Sequence, residues 1–249
     1  LLEFSDVDYR YPNSGENVLQ RLSLQIPDQG VTAIMGANGS GKSTAALCMN
    51  ALLLPTGGVV RVNGMSTAEP RNVASVRKSV GVVFQNPDSQ FTSLTVEREL
   101  AFGLENIGMG QQEMKERVDE CLRMFGLERD RKIAPSLLSG GEKQRVALAA
   151  VMIMNPDYLI LDEATSLLAP LARKTILDHV TMLARTSGRA VVLITQFPLE
   201  AMLADHLLIL CHGHVELEGQ PSMLFRDGTR LRQLGVPIPL STRLGFDGS

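Results

Sequence analysis

Long apolar runs, paired cysteines and an excess of positive charge are all missing from this chain of 249 residues. The longest apolar run, Val146 to Met154, falls far short of the roughly 18 residues that span a bilayer. Leu1-Leu2-Glu3-Phe4 lacks the basic-then-apolar order of a secretory signal. The chain also starts without a methionine, and its first residues are expected to have been trimmed. Twenty-four Lys and Arg against 27 Asp and Glu give a net charge of -3, which offers no field for nucleic acid. Cys48, Cys121 and Cys211 stand apart without C-x-x-C spacing, so they read as reduced core thiols rather than metal ligands or disulfides. No internal repeat or low-complexity segment occurs. What remains is 44% hydrophobic and 20% charged, an ordinary globular composition able to bury one substantial core as a large domain or two subdomains. A soluble, cytosolic chain is expected.

The chain opens with strand-like segments at Leu1–Val7 and Val18–Ile26, joined by the loop Pro12-Asn13-Ser14-Gly15. Val31–Met35 reads as a buried strand running into a glycine loop, followed by a helix from Lys42 to about Leu54 that stops before Pro55 and Gly57-Gly58. Val59–Val62 and Val80–Phe84 are further strands. From Leu94 to Leu127 the pattern is helical, with charge gathered on one face. Glu142–Met154 and Pro170–Arg185 are predicted helices, and Tyr158–Leu161 and Val191–Thr195 predicted strands. Leu207–Leu210 and Val215–Glu218 form a predicted hairpin around His212-Gly213. Apolar strands alternating with helices imply a parallel sheet covered on both faces. Ligands of such sheets bind beyond the carboxyl ends of the strands. Gly36, Gln85, Asp162-Glu163 and Gln196 each follow a predicted buried strand, so polar groups from independent strands converge on one edge.

Gly36-Ala37-Asn38-Gly39-Ser40-Gly41-Lys42-Ser43-Thr44 fits the P-loop pattern in its strand–loop–helix setting. In that pattern the backbone N–H groups of Gly36, Asn38, Gly39, Ser40 and Gly41 surround phosphate oxygens. Lys42 is expected on the β- and γ-phosphates, the Ser43 hydroxyl on Mg²⁺, and Thr44 on a further phosphate oxygen. Asp162 is expected to hold the magnesium through water, since Mg²⁺ takes few protein carboxylates. Glu163 is the candidate to orient or deprotonate the attacking water. Gln85 offers a carbonyl to Mg²⁺ and an amide to water, with Asn86-Pro87 behind it as a stiff turn. Tyr11 either stacks on adenine or is an ordinary edge-strand tyrosine.

Leu138-Ser139-Gly140-Gly141-Glu142 admits two readings. Ser139 and Glu142 fit a capping box that satisfies the helix's own N–H groups. The glycine pair instead suits close approach to a phosphate at the helix start. Its distance from the P-loop favours a head-to-tail dimer in which Ser139, Gly140, Gly141 and Glu142 close the ATP held by the other chain.

With these motifs in order, together with Tyr158-Leu159-Ile160-Leu161-Asp162-Glu163 and the strand-end Gln196, nearly the whole chain resembles an ABC-transporter ATPase subunit. Gln85-Asn86-Pro87-Asp88-Ser89-Gln90-Phe91, Thr95-Val96-Glu97, Ala101–Asn106 and the tail Leu231–Pro237 resemble more narrowly the ATP-binding subunits of energy-coupling factor transporters, importers of vitamins and of metal ions such as cobalt and nickel. The resemblance implies an α/β fold with a RecA-like P-loop NTPase core, an antiparallel β-subdomain and an inserted helical subdomain. It places the nucleotide-binding domain at 1–220, the helical insertion at about 88–150 and a C-terminal extension at 221–249. It also implies ATP and Mg²⁺, a second ATPase subunit in a homo- or heterodimer, a transmembrane coupling subunit docking near Gln85, and separate substrate-capturing membrane subunits. The chain would then sit peripherally at the cytoplasmic face of the cell membrane.

Two positions depart from the family. The pattern expects aspartate where Ala169 stands, a residue that couples the two sites across the dimer. It expects histidine where Gln196 stands, a residue that holds the γ-phosphate and the water. Gln196 still donates a hydrogen bond but carries no charge, so strong ATP binding with slowed hydrolysis is expected. The rival readings are a regulatory ATP-binding partner of a second subunit and a soluble ABC ATPase acting away from membranes.

Overall fold

The computed structural model describes residues 1–12 and 14–239. Asn13 of the predicted first loop and residues 240–249 of the predicted C-terminal extension lie outside them. The elements run β1 (Leu2–Tyr9), β2 (Leu19–Ile26), β3 (Gly30–Met35), α1 (Lys42–Met49), β4 (Gly57–Val62), β5 (Met65–Ser66), α2 (Val73–Ser79) and β6 (Val80–Val83). Then follow α3 (Val96–Asn106), α4 (Gln111–Phe125), α5 (Gly140–Met152), β7 (Tyr158–Asp162), α6 (Pro170–Ser187), β8 (Ala190–Ile194) and α7 (Pro198–Ala201). The chain closes with β9 (His206–Cys211), β10 (His214–Gly219), α8 (Pro221–Leu224) and α9 (Gly228–Gln233).

These strands make two sheets. A four-stranded antiparallel sheet has the order β2-β1-β4-β5. A six-stranded sheet has the order β10-β9-β3-β8-β7-β6, parallel throughout except for the β9–β10 hairpin. Along β3 the side chains alternate between two cores, Ile34 on one face and Val31, Ala33 and Met35 on the other. A sheet buried on both faces therefore reads as a continuous apolar run rather than an alternation. The first core joins both sheets through α1, where Ala45, Ala46, Cys48 and Met49 are all buried. The second lies beneath α6, α9 and Val236.

A third core is purely helical: Leu100 and Leu104 of α3, Val118 and Leu122 of α4, and Val146 and Ala149 of α5. Ala147 and Leu148 on the adjoining face of α5 belong to the sheet core. That helix thus packs against both the helical unit and the strands. Because β3, β6, β7 and β8 are parallel, their carboxyl ends lie on the same edge.

Three local differences from the sequence reading have physical causes. Helix α1 ends at Met49 rather than near Leu54: the Leu47 carbonyl takes both the Leu52 and the Leu53 N–H, and Ala51 turns left-handed at φ 58°. The helical stretch from Leu94 to Leu127 is two helices, divided at Ile107–Gly110, where Gly108 adopts φ 75°. Helix α2 has only seven residues and one buried side chain, Val76, too little for a period to register.

Candidate active site

The glycine loop leaves β3 under tight steric control. A Cβ on Gly36 would stand 2.2 Å from the Leu210 carbonyl oxygen and 2.6 Å from Ser40 Oγ. Gly41, at φ 101°, is the N-cap of α1, and a Cβ there would meet Leu19 Cδ2 at 2.7 Å. No side chain caps this helix, so its first N–H groups face the loop. A helix start of that kind favours an anion. Lys42 is buried, and its Nζ donates to the carbonyls of Gly36 (2.9 Å) and Ala37 (3.0 Å). Burial pushes the Lys42 ammonium pKa down, and the Glu163 and Asp162 carboxylates partly oppose this. The Tyr11 hydroxyl lies 3.2 Å from Thr44 Oγ1, and the Tyr11 ring meets Tyr9 edge-on at 5.0 Å. Tyr11 sits just past β1 rather than within an edge strand.

Asp162 is the last residue of β7, with Glu163 immediately beyond it. Burial raises the Asp162 pKa, with Glu163 adding to the rise, while the neighbouring Ser43 hydroxyl and Lys42 pull it down. Its Oδ1 is buried without a hydrogen-bond partner. An orphaned carboxylate oxygen beside a serine hydroxyl is a hard-oxygen donor set of the kind Mg²⁺ prefers. Ser43, Asp162 and Gln85 therefore fit that ion. Glu163 adopts a left-handed conformation at φ 51°, secured by its N–H on the Ile194 carbonyl at 2.9 Å. A non-glycine residue held there costs about 1–3 kcal/mol and points to a constrained role. Two glutamine amides hold the Glu163 carboxylate. Gln85 Nε2 lies 3.2 Å from Oε2, and Gln196 Nε2 lies 2.8 Å from Oε1 and 3.1 Å from Asn38 Oδ1.

All four strand ends meet in one cleft of about 430 Å³, lined by Asn38, Gly39, Gly41–Thr44, Gln85, Asp162, Glu163 and Gln196. Val18, which no chemical signal marks, closes one wall. Ser139–Glu142 do not line it. Their capping box is formed: Ser139 N–H donates to Glu142 Oε2 at 2.9 Å and Ser139 Oγ accepts from Glu142 N–H at 3.5 Å. The Ser139 hydroxyl and N–H hold the Glu142 carboxyl below the usual carboxylate range. A Cβ on Gly140 would have no heavy atom within 4 Å, and one on Gly141 would meet only Leu168 Cδ2 at 3.8 Å. Ala169 is the N-cap of α6 and supplies no side-chain hydrogen bond there.

Sequence reasoning missed the support beneath the cleft. Glu200 is 5% exposed and accepts hydrogen bonds from the hydroxyls of Thr165 (2.6 Å) and Thr195. Arg173 Nε approaches it at 3.7 Å, and the guanidinium also lies 4.0 Å from the Phe197 ring centre. The threonines at the ends of β7 and β8 are the only trace of this network in the sequence.

Residues 19–166 match the family model described as ABC transporter. The energy-coupling factor transporter ATP-binding protein EcfA1 of Clostridium perfringens is 37% identical over 99% of this chain and 89% of its own length. A solved structure of cbiO1 from the same organism, described as part of the ABC transporter complex cbiONQ, is 30% identical, with a TM-score of 0.81 over 98% of this chain and 97% of that one. A dimeric post-hydrolysis structure of the ATP-binding cassette MJ0796, bound to ADP and Pi, is 28% identical, with a TM-score of 0.82 over 89% of this chain and 99% of that one. Among the described residues, no helix is long and apolar enough to cross a membrane. On this combination of strand-edge cleft, P-loop and matching relatives, the chain belongs to the ABC transporter ATPases, within the energy-coupling factor type.

Proposed function

We propose that this chain hydrolyses ATP at its strand-edge cleft to power the import of a vitamin or a transition-metal ion through an energy-coupling factor transporter. In this reading Lys42, Ser43, Thr44 and the loop N–H groups bind the phosphates. Glu163 orients and deprotonates the attacking water, and Gln85 and Gln196 fix its carboxylate from either side. Tyr11, whose hydroxyl lies 3.2 Å from Thr44 Oγ1, takes the base by stacking. Ser43, Gln85 and Asp162 would hold Mg²⁺, which would supply charge neutralisation at the phosphates. The chain works at the cytoplasmic face of the membrane with a transmembrane coupling subunit and a substrate-capturing membrane subunit.

The second half of each site comes from another ATPase subunit, packed head to tail. One observation carries this. Gly36 and Gly41 are glycine because their own chain leaves no room for a Cβ, whereas among the described residues, apart from the helix's own backbone, nothing comes closer to a Cβ at Gly140 or Gly141 than Leu168 Cδ2 at 3.8 Å. A capping box needs neither glycine. The open backbone of that turn is explained by a phosphate arriving from outside the chain, at a helix start that favours anions.

Complementation between two disabled variants tests the arrangement. Lys42→Ala removes the phosphate lysine and Gly141→Asp places a carboxylate in the glycine turn, so each alone is expected to lose ATP turnover. Mixed, they form dimers with one intact composite site. Restored single-turnover phosphate release is the expected result. No restoration, with mixed dimers shown to form, would overturn the head-to-tail site.

The second reading, a catalytically weakened partner of another ATPase subunit, has its own support in Ala169 and Gln196. Neither supplies the side-chain chemistry the family pattern expects at its position. Turnover of this chain compared with that of its Gln196→His variant decides between them.

A further inference from the structure

We infer that Glu200 is a positioning residue for hydrolysis, acting through Gln196 and the turn that follows Glu163; this rests on the proposal that those two residues work on the terminal phosphate. A carboxylate buried to 5% exposure is costly unless it is paired and hydrogen-bonded. Glu200 meets that requirement with one partner from each catalytic turn.

On one side, the Thr195 hydroxyl donates to Glu200 Oε2 and accepts from the Phe197 N–H at 3.0 Å. Thr195 and Phe197 flank Gln196, so this single hydroxyl fixes the residues on both sides of it. The Thr195 N–H is in turn held by the Ile34 carbonyl at 3.1 Å, and the Glu200 N–H returns to the Phe197 carbonyl at 3.0 Å. On the other side, the Thr165 hydroxyl donates to Glu200 Oε1 at 2.6 Å. Thr165 lies two residues beyond Glu163, in a turn where the Ser166 N–H is bonded to the Glu163 carbonyl at 3.0 Å.

Arg173 completes the arrangement. Besides facing Glu200, it donates to the carbonyls of Thr165 (3.2 Å), Ser166 (3.3 Å) and Leu168 (3.5 Å) and covers the Phe197 ring. One buried carboxylate and one cation therefore set the separation of two turns. Those turns carry the two groups that meet at Gln196 Nε2 and Glu163 Oε1, 2.8 Å apart. If the carboxylate is lost, the turns lose their common anchor while the phosphate loop, built on β3 and α1, keeps its own.

The test is a double-mutant cycle on single-turnover hydrolysis, using wild type, Glu200→Ala, Gln196→Ala and the double variant, with binding of a fluorescent ATP analogue measured in parallel. A misplacement of an ångström costs roughly 10²-fold. Glu200→Ala, with a smaller displacement, is expected to slow hydrolysis about tenfold. Analogue affinity should change by less than about twofold, and Glu200→Gln, which keeps two hydrogen-bonding atoms at the same reach, should recover most of the rate. In the Gln196→Ala background the further loss should shrink to about threefold, the part carried through the turn after Glu163, because members of one hydrogen-bond network are not additive.

Equal losses in both backgrounds would overturn the inference and leave Glu200 a general stabiliser. Should Glu200→Ala not fold, Thr195→Val, which removes the bond to Glu200 and the bond from the Phe197 N–H on either side of Gln196, is expected to show the same pattern; losses that multiply there would equally overturn it. A wild-type chain that binds the analogue but never cleaves ATP would instead overturn the hydrolytic reading beneath it.

Discussion

Replacing Gln196 by histidine should speed hydrolysis. In the structure the Gln196 amide is bonded to Glu163 Oε1 at 2.8 Å and to Asn38 Oδ1 at 3.1 Å, so a side chain here reaches both the carboxylate and the phosphate loop. A neutral hydrogen bond contributes about 0.5–1.5 kcal/mol net and one from a charged donor about 1.5–3 kcal/mol. An imidazolium beside Glu163 therefore gains on the amide by about 1–1.5 kcal/mol in the transition state, where negative charge on the phosphoryl oxygens is redistributed. That difference corresponds to about tenfold in rate.

The gain should appear in kcat, with KM nearly unchanged, because the phosphate loop that binds ATP is untouched. It should also depend on pH in a definite direction. The imidazole must be protonated to carry charge, so the advantage is full on the acid side of its pKa and fades as pH rises through it. The wild-type amide has no such titration. The assay is steady-state phosphate release per site, in the same assembly for both proteins, from about pH 6 to 8.5. Turnover of Gln196→His equal to wild type across that range would refute the reasoning.

Ala169→Asp supplies the absent acceptor at the N-terminus of α6 and should add about 0.5–2 kcal/mol of stability. For a chain of this size that raises Tm by about 2–4 °C per kcal/mol, measured by calorimetry; an unchanged Tm would argue against capping at this turn. Burial raises the thiol pKa of Cys48 and of Cys121 to about 12, while Cys211 is half-buried. Iodoacetamide near pH 8 should therefore label Cys211 alone until denaturant is added, and intact-mass analysis showing equal labelling of Cys48 would contradict the burial. Asp162 has a raised folded-state pKa, so its charged form costs stability above that pKa, and the cost disappears as pH falls below the unfolded carboxylate range. Asp162→Asn should melt higher than wild type at neutral pH, by a margin that closes on acidification. The same variant should lose the Mg²⁺ dependence of nucleotide binding, which titration with and without a chelator would show.

The cleft was legible because its chemistry sits at strand ends and in one continuous motif. Each of Gly36, Gln85, Asp162 and Gln196 follows a short apolar run, and parallel pairing of β3, β6, β7 and β8 is enough to bring them to one edge. The capping box at Ser139 was equally local, needing only residues three apart. Positions set by distant partners were not readable. Glu200 follows Pro198 and Leu199 in a short helix where a carboxylate would ordinarily face water. It is buried because Thr165, 35 residues earlier, and Arg173 reach it through the fold. The early end of α1 is similar: Ala51–Leu54 continue the apolar run, but the left-handed turn at Ala51 keeps only Ala51 and Leu53 on the core, and Leu52 and Leu54 emerge 46% and 49% exposed.

The phosphate loop and the Glu163 turn are held by different kinds of force, and the departures at 169 and 196 fall outside the loop. The phosphate loop is fixed by the main chain. Gly36 and Gly41 are confined by Leu210, Leu19 and Val18, and the helix that follows packs into the core shared by both sheets. The loop's part in the proposed phosphate binding therefore rests on main-chain atoms that substitutions elsewhere leave in place. Glu163, Gln85 and Gln196 depend instead on side-chain hydrogen bonds, each contributing about 1 kcal/mol net. Loss of one of the two glutamine hydrogen bonds to Glu163 is expected to shift rate by up to about an order of magnitude while leaving the fold and the phosphate loop standing. Ala169 and Gln196 both lie in the turns after β7 and β8, so substitutions there are expected to change the turnover of this chain more than its nucleotide affinity.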